Sequence, residues 1–211
     1  MASLKEIKER IQSVRSTRKI TSAMKMVAAA KLHRTQREAA ALVPYSEELQ
    51  GIVAHLVAGE GVGHIALAEE REVERVTIVG FASNSTLCGA YNANMGREVV
   101  AVRRGYALPD ESVRVVAMGK RLAVELKKGG VAFEEGDGEL SEKPNYANLR
   151  VVAEGLMRDF TEGRTDRVEL VYYKFLSAGN QQLVCERLLP IELPAKRVGA
   201  WNSEVGYILE P

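Results

Sequence analysis

The stretch Ser3 to about Val43, SLKEIKERIQSVRSTRKITSAMKMVAAAKLHRTQREAAALV, contains neither glycine nor proline. Leu4, Ile7, Ile11 and Val14 recur at spacings of three and four, and Thr21, Ala28, Leu32, Ala39 and Leu42 continue the same frame. This is the pattern of a helix with one apolar seam. Ser3 stands at the N-cap and Glu6 three residues on completes a capping box, so the helix is predicted to start almost at the first residue. About forty residues at roughly 1.5 Å each make a rod of about 60 Å. The remaining chain, about 150 residues, implies a radius of gyration of only about 15 Å. The helix is therefore expected to protrude, and a single compact globule is excluded.

The middle of the rod breaks its own pattern. Arg18 and Lys25 interrupt the seam, while Ile20, Met24 and Val27 fall on another face, so the stretch from Ile20 to Leu32 is small or apolar nearly all round. Such a helix is normally buried on every side. Its charge is one-sided: Arg10, Arg15, Arg18, Lys19, Lys25, Lys31, Arg34 and Arg37 occur with no acidic residue between Arg10 and Arg37. One reading is a solvated basic face. The sharper one is a shaft held inside something larger whose lining is partly acidic.

With 211 residues, 46% hydrophobic and 27% charged, the chain can bury a core and is neither disordered nor membrane-spanning in pattern. The net charge of +1 argues against a protein that coats nucleic acid, which would be basic throughout. Cys88 and Cys185 stand alone, without a cysteine or histidine cluster, so neither a metal site nor a disulfide framework is expected. No signal-type or transit-type leader and no run of about 18 apolar residues is present, so any membrane association is expected through partners.

Pro44 is expected to kink or interrupt the helix. Helical spacing resumes through Leu49, Val53 and Leu56, and GEGVGH then ends it. Beyond a linker over 59–74, β-branched runs at Arg75–Ala82 and Val113–Met118 read as buried strands, with a short edge strand at Val131–Glu134. Helices are predicted from Asn92 as the cap to about Arg104, at Lys120–Lys128 and at Tyr146–Phe160. Val168–Phe175 and Gln182–Leu189, joined by a turn, form a hairpin. The fold class is thus α/β: a long N-terminal coiled-coil helix over 1–58, a small, mostly parallel Rossmann-like sheet over 75–190 with an antiparallel edge hairpin, and a connector over 191–211.

SNSTLCGAYN, Ser83 to Asn92, leaves a strand and opens a helix, the place where such sheets bind ligands. Ser83, Ser85 and Cys88 could form a nucleophile elbow or hold an anion there. A nucleophile needs a base, however, and the histidines are His33, His55 and His64, all in or just past the long helix. Neither phosphate-binding glycine motif occurs. Leu87, Cys88, Gly89 and Asn92 are read mainly as conformational, and no catalytic residue, cofactor or metal is expected. Asp137, Glu139 and Glu142 read as a solvated acidic loop.

SLKEIKERIQSVRSTRKITSAMKMVAAAKLHRTQ closely resembles the N-terminal helix of the gamma subunits of rotary ATP synthases, and SNSTLCGAYNAN is similar to that family's second recognisable segment. The resemblance follows the order of elements over the whole chain, including Pro44-Tyr45. It implies a non-catalytic central rotor shaft. Its N-terminal helix would pair along Leu4, Ile7, Ile11, Val14, Thr21, Ala28 and Leu32 with a C-terminal helix, inside a hexamer of alpha and beta subunits. Arg10, Lys19, Lys25, Lys31 and Arg34 would face acidic beta segments, with Ile20, Ala23, Met24 and Val27 in the hexamer's sleeve. The α/β foot would bind the epsilon subunit and the membrane ring of c subunits, which places the protein peripherally at the cytoplasmic face of a bacterial inner membrane.

Two departures bear on this. Asn84 and Thr86 stand where Asp and Gly are commoner in the family, and the sequence ends at Tyr207–Pro211, where family members enter a further long helix. The seam is therefore expected to lack its partner. Two alternatives stay open: a basic-helix nucleic-acid-binding dimer, against which Pro44 and Gly51 interrupt the heptads, and a small-molecule-binding α/β domain.

Overall fold

The computed structural model describes residues 3–58 and 65–192. The expected connector from residue 193 onward and the linker over 59–64 lie outside the described residues. The chain divides into two units, one up to residue 60 and one from residue 61.

The first unit is a single helix, α1, Leu4–Ala58, of 55 residues. Its start is the predicted capping box: Ser3 N–H donates to Glu6 Oε2 at 2.8 Å and Glu6 N–H donates to Ser3 Oγ at 3.3 Å. Pro44 lies inside α1 and does not interrupt it. Proline lacks one intrahelical donor, a cost of about 3 kcal/mol, but the helix-forming residues on either side carry the helix past it.

The second unit contains β1 (Val76–Phe81), α2 (Tyr91–Gly105), β2 (Val113–Met118), α3 (Lys120–Gly129), β3 (Glu134–Glu135), α4 (Tyr146–Thr161), β4 (Arg167–Ser177) and β5 (Asn180–Leu189). The five strands form one sheet in the order β3-β2-β1-β4-β5. β1 is parallel to β2 and β4, and β5 is antiparallel to β4, which is the predicted mostly parallel sheet with an edge hairpin. Alternation along β1 sends Val76 and Ile78 to one face and Val79 to the other. On the first face they pack with Met95, Val99, Leu122 and Leu126 of α2 and α3. On the second, Val79 and Val168 pack with Leu156 and Phe160 of α4. Gly80 lets the first layer close: a Cβ there would sit 2.8 Å from both Leu122 Cδ2 and Val99 Cγ2.

The edge strand and the start of α2 depart most from the sequence reading, beside shifts of one or two residues at the ends of β1, β4 and β5. The edge strand is not Val131–Glu134 but Glu134–Glu135 alone. Val131 is taken up in ending α3: Gly130 turns left-handed at φ 68°, and Val131 N–H donates to Leu126 O at 3.2 Å. Likewise α2 begins at Tyr91 with Ala90 as its cap, so Asn92 lies one residue inside the helix and does not cap it.

Candidate functional site

On α1 nearly every described side chain is exposed, seam included. Leu4 is 79% and Val14 62% exposed, while Ile7 and Ile11 are about half exposed. Thr21 hides its hydroxyl within the seam by donating to Thr17 O at 2.9 Å, so the stripe remains apolar there. Ile20, Met24 and Val27 are exposed on their own face. Of the predicted basic contacts, Arg34 pairs with Glu38 at 2.8 Å, which raises its pKa. Arg10, Lys19, Lys25 and Lys31 have no acidic partner among the described residues. The helix therefore gathers the predicted apolar and basic residues on one continuous element and, Arg34 apart, leaves both sets unmatched among the described residues.

In the sheet unit, the β1–α2 loop lies at the carboxyl end of β1, the strand flanked by β2 on one side and β4 on the other. Asn92, 8% exposed, closes this loop: its Oδ1 accepts from Ser83 N–H at 3.1 Å, and its Nδ2 donates to Ser85 O and to Cys88 Sγ, each at 3.0 Å. Gly89 supplies the turn at φ 58°, a left-handed conformation that glycine adopts without strain. Leu87 points outward and is 81% exposed.

A cleft of about 640 Å³ opens beside the loop, lined by Ser83, Cys88, Tyr91, Ser141, Tyr173 and Gln181 among others. Tyr91 and Tyr173 stack at 4.4 Å across it, and burial raises the Tyr91 phenol. No charged side chain lines the cleft and residues 65–192 contain no histidine, so among the described residues Cys88 has no histidine or carboxylate base in the cleft. Among the described residues no group of histidine, cysteine, aspartate and glutamate side chains could hold a metal, and no helix is long and apolar enough to cross a membrane.

Sequence reasoning missed two polar centres. Asn84 bridges backbone groups of two other segments, a role visible only once the chain is folded. Glu169, 4% exposed in β4, accepts from Tyr106 Oη and Arg167 Nε, both at 2.6 Å. Arg167, two residues earlier on the same strand face, was the available signal. Burial and the Glu169 carboxylate push the neighbouring Cys185 thiol up to about 12.

A family model described as ATP synthase matches residues 3–211. The ATP synthase gamma chain of Bacteroides fragilis is 42% identical over 217 residues, covering 100% of this chain and 74% of that one. The ATP synthase gamma chain of Phocaeicola vulgatus is 41% identical over 213 residues with the same coverage. Among solved structures, a chain of the Euglena gracilis mitochondrial ATP synthase, OSCP/F1/c-ring in rotational state 3, aligns with a TM-score of 0.52 at 19% identity. That match covers 86% of this chain and 55% of the other, and it shows a shared fold.

Proposed function

This chain belongs to the ATP synthase gamma-chain family, and from that premise we propose that it is a non-catalytic central-stalk rotor subunit. It couples rotation of a membrane ring to conformational change in catalytic beta subunits. The observation that carries the reading is α1: a helix of 55 residues whose apolar seam and unpaired cations are all presented outward. Exposed apolar area of this extent is characteristic of a surface that associates. Leu4, Ile7, Ile11, Val14, Thr21, Ala28 and Leu32 would receive a second helix in coiled-coil register. Arg10, Lys19, Lys25, Lys31 and Arg34 would meet acidic segments of the beta subunits, and Ile20, Ala23, Met24 and Val27 would run in the hexamer's sleeve.

The sheet unit is the foot, presented to an epsilon subunit and to the ring of c subunits. Membrane association comes through those partners, at the cytoplasmic face of a bacterial inner membrane. The absence of any charged or basic catalytic group in the cleft beside Cys88 supports a mechanical role rather than bond chemistry.

The test is assembly. The chain is mixed with alpha and beta subunits, and co-purification and ATPase activity are measured. A stoichiometric complex whose ATPase depends on this chain is expected, and failure to form one sinks the reading.

A further inference from the structure

The cleft at the carboxyl end of β1 differs in chemistry from the rest of the sheet unit. In a chain that is 27% charged, none of the side chains lining it is charged. Tyr91 and Tyr173 stand there with the neutral polar side chains of Ser83, Asn94 and Gln181, beside small residues of the β4–β5 turn. Tyrosine together with a lack of charge is the composition of the buried centre of a protein interface, as opposed to its rim.

Two exposed apolar side chains adjoin the cleft. Phe175, about half exposed, lies opposite Gln181 in the β4–β5 register, and cross-strand partners share a face of the sheet. Leu87, almost wholly exposed, directly precedes Cys88 of the cleft wall. The loop that presents Leu87 is held from within. Asn92 commits its whole carboxamide to it, with Oδ1 accepting from Ser83 N–H and Nδ2 donating to Ser85 O and Cys88 Sγ. An apolar side chain held outward on a fixed frame has little ordering cost left to meet when it docks.

We propose that this cleft, with Leu87 and Phe175 beside it, is a docking site for an uncharged segment of another subunit, bound through main-chain amides and aliphatic side chains and without an ion pair. The proposal rests on the rotor reading, which supplies the partners of the foot. An ionised side chain entering the cleft gives up hydration and meets no opposite charge in exchange, which rules against an acidic or a basic occupant. Hydroxyls and carboxamides both donate and accept, so they match the N–H and C=O groups of an extended segment. The site thus differs in kind from α1, whose free cations call for acidic partners.

Charge introduced at Gln181, an exposed position, tests the occupant without disturbing the core. Gln181→Glu adds a negative charge at nearly constant shape, and Gln181→Lys adds a positive one. Each variant and the parent chain are titrated separately with the alpha–beta hexamer, the epsilon subunit and the membrane ring. Both variants are expected to bind one and the same partner about tenfold more weakly than the parent, with unchanged thermal unfolding. An acidic occupant would instead bind the lysine variant more tightly, and a basic one the glutamate variant. Gln181→benzoylphenylalanine, irradiated in the assembled complex, then identifies the occupant, and the cross-link is expected in an uncharged stretch of another subunit.

Either charge variant binding every partner as tightly as the parent, or more tightly, overturns the docking site and leaves the rotor reading standing. So does a cross-link to a charged stretch, to this chain itself or to a second copy of it, or no cross-link at all. A parent chain that binds none of the three partners overturns the rotor reading, and the docking site falls with it.

Discussion

Replacing Ile7 and Ile11 together by alanine separates the two possible uses of the α1 seam. Alanine is the better helix former, so the helix persists. In the chain alone, Ile7 is 47% and Ile11 48% exposed, so about half of each side chain is still available for burial by a partner. The substitution deletes three carbons per site, about 2.4 kcal/mol if fully transferred from water at about 0.8 kcal/mol per methylene, and half of that remains to be gained on docking. The two sites together give about 2.4 kcal/mol, or roughly 50-fold in association. Two measurements check it. Thermal unfolding of the chain alone should change by no more than about 0.5 kcal/mol, as for exposed positions generally. Binding of a second helix in coiled-coil register, supplied as a peptide and titrated by concentration, should weaken by roughly 50-fold. A destabilised chain with unchanged peptide binding would show that the seam packs within this chain and would refute the reasoning.

Met24→Lys should impair proton pumping more than folding, because it places a charge in the sleeve, whereas Met24 is exposed in the chain alone; undiminished pumping removes Met24 from the coupling surface. Gly119→Ala should destabilise the sheet unit by about 3–5 kcal/mol, from a non-glycine residue forced to positive φ plus overpacking. The basis is φ 106° and a Cβ that would lie 2.2 Å from Ala82 O, and a shift in urea midpoint measures it. At Asp159, burial alone would raise the carboxyl, but hydrogen bonds and charge from Arg164 and Arg114 outweigh it and hold the pKa below the usual 3.8. A depressed folded pKa stabilises above the unfolded value and is lost as pH falls through the folded one. Asp159→Asn should therefore be less stable than the parent at neutral pH, with the gap closing below about pH 4 in a stability series across pH. Cys185, held up to about 12, should alkylate with iodoacetamide at pH 8 at least about tenfold more slowly than free cysteine.

The parts legible in the sequence are those whose signal is local. Val76–Phe81 and Val113–Met118 are dense in β-branched residues, and both are strands in the structure. Ser3 and Glu6 announce a cap that needs nothing beyond its own turn. What the sequence hid depends on segments far apart in the chain. Val131 looks like a strand residue by type, yet the left-handed Gly130 beside it commits its N–H to ending α3. Asn92 has the residue type of a cap, but Ser83, nine residues earlier, claims its oxygen. Tyr106 and Glu169, 63 residues apart, meet only because β4 lies beside β1 under the end of α2.

The same contrast orders the functional residues. On α1 the described side chains are nearly all exposed, so there the sequence pattern is itself the surface. That pattern also carries its own demand: apolar residues at coiled-coil spacing do not stay in water when a matching helix is available. In the sheet unit the reverse holds. The loop residues Leu87, Cys88, Gly89 and Asn92 drew notice by type, whereas Asn84 makes the contacts that join segments, through Lys120 N–H and Gly138 O. Periodicity alone lays out the exposed pattern of α1. The sheet unit is specified by hydrogen bonds between distant segments, and those become visible only in the fold.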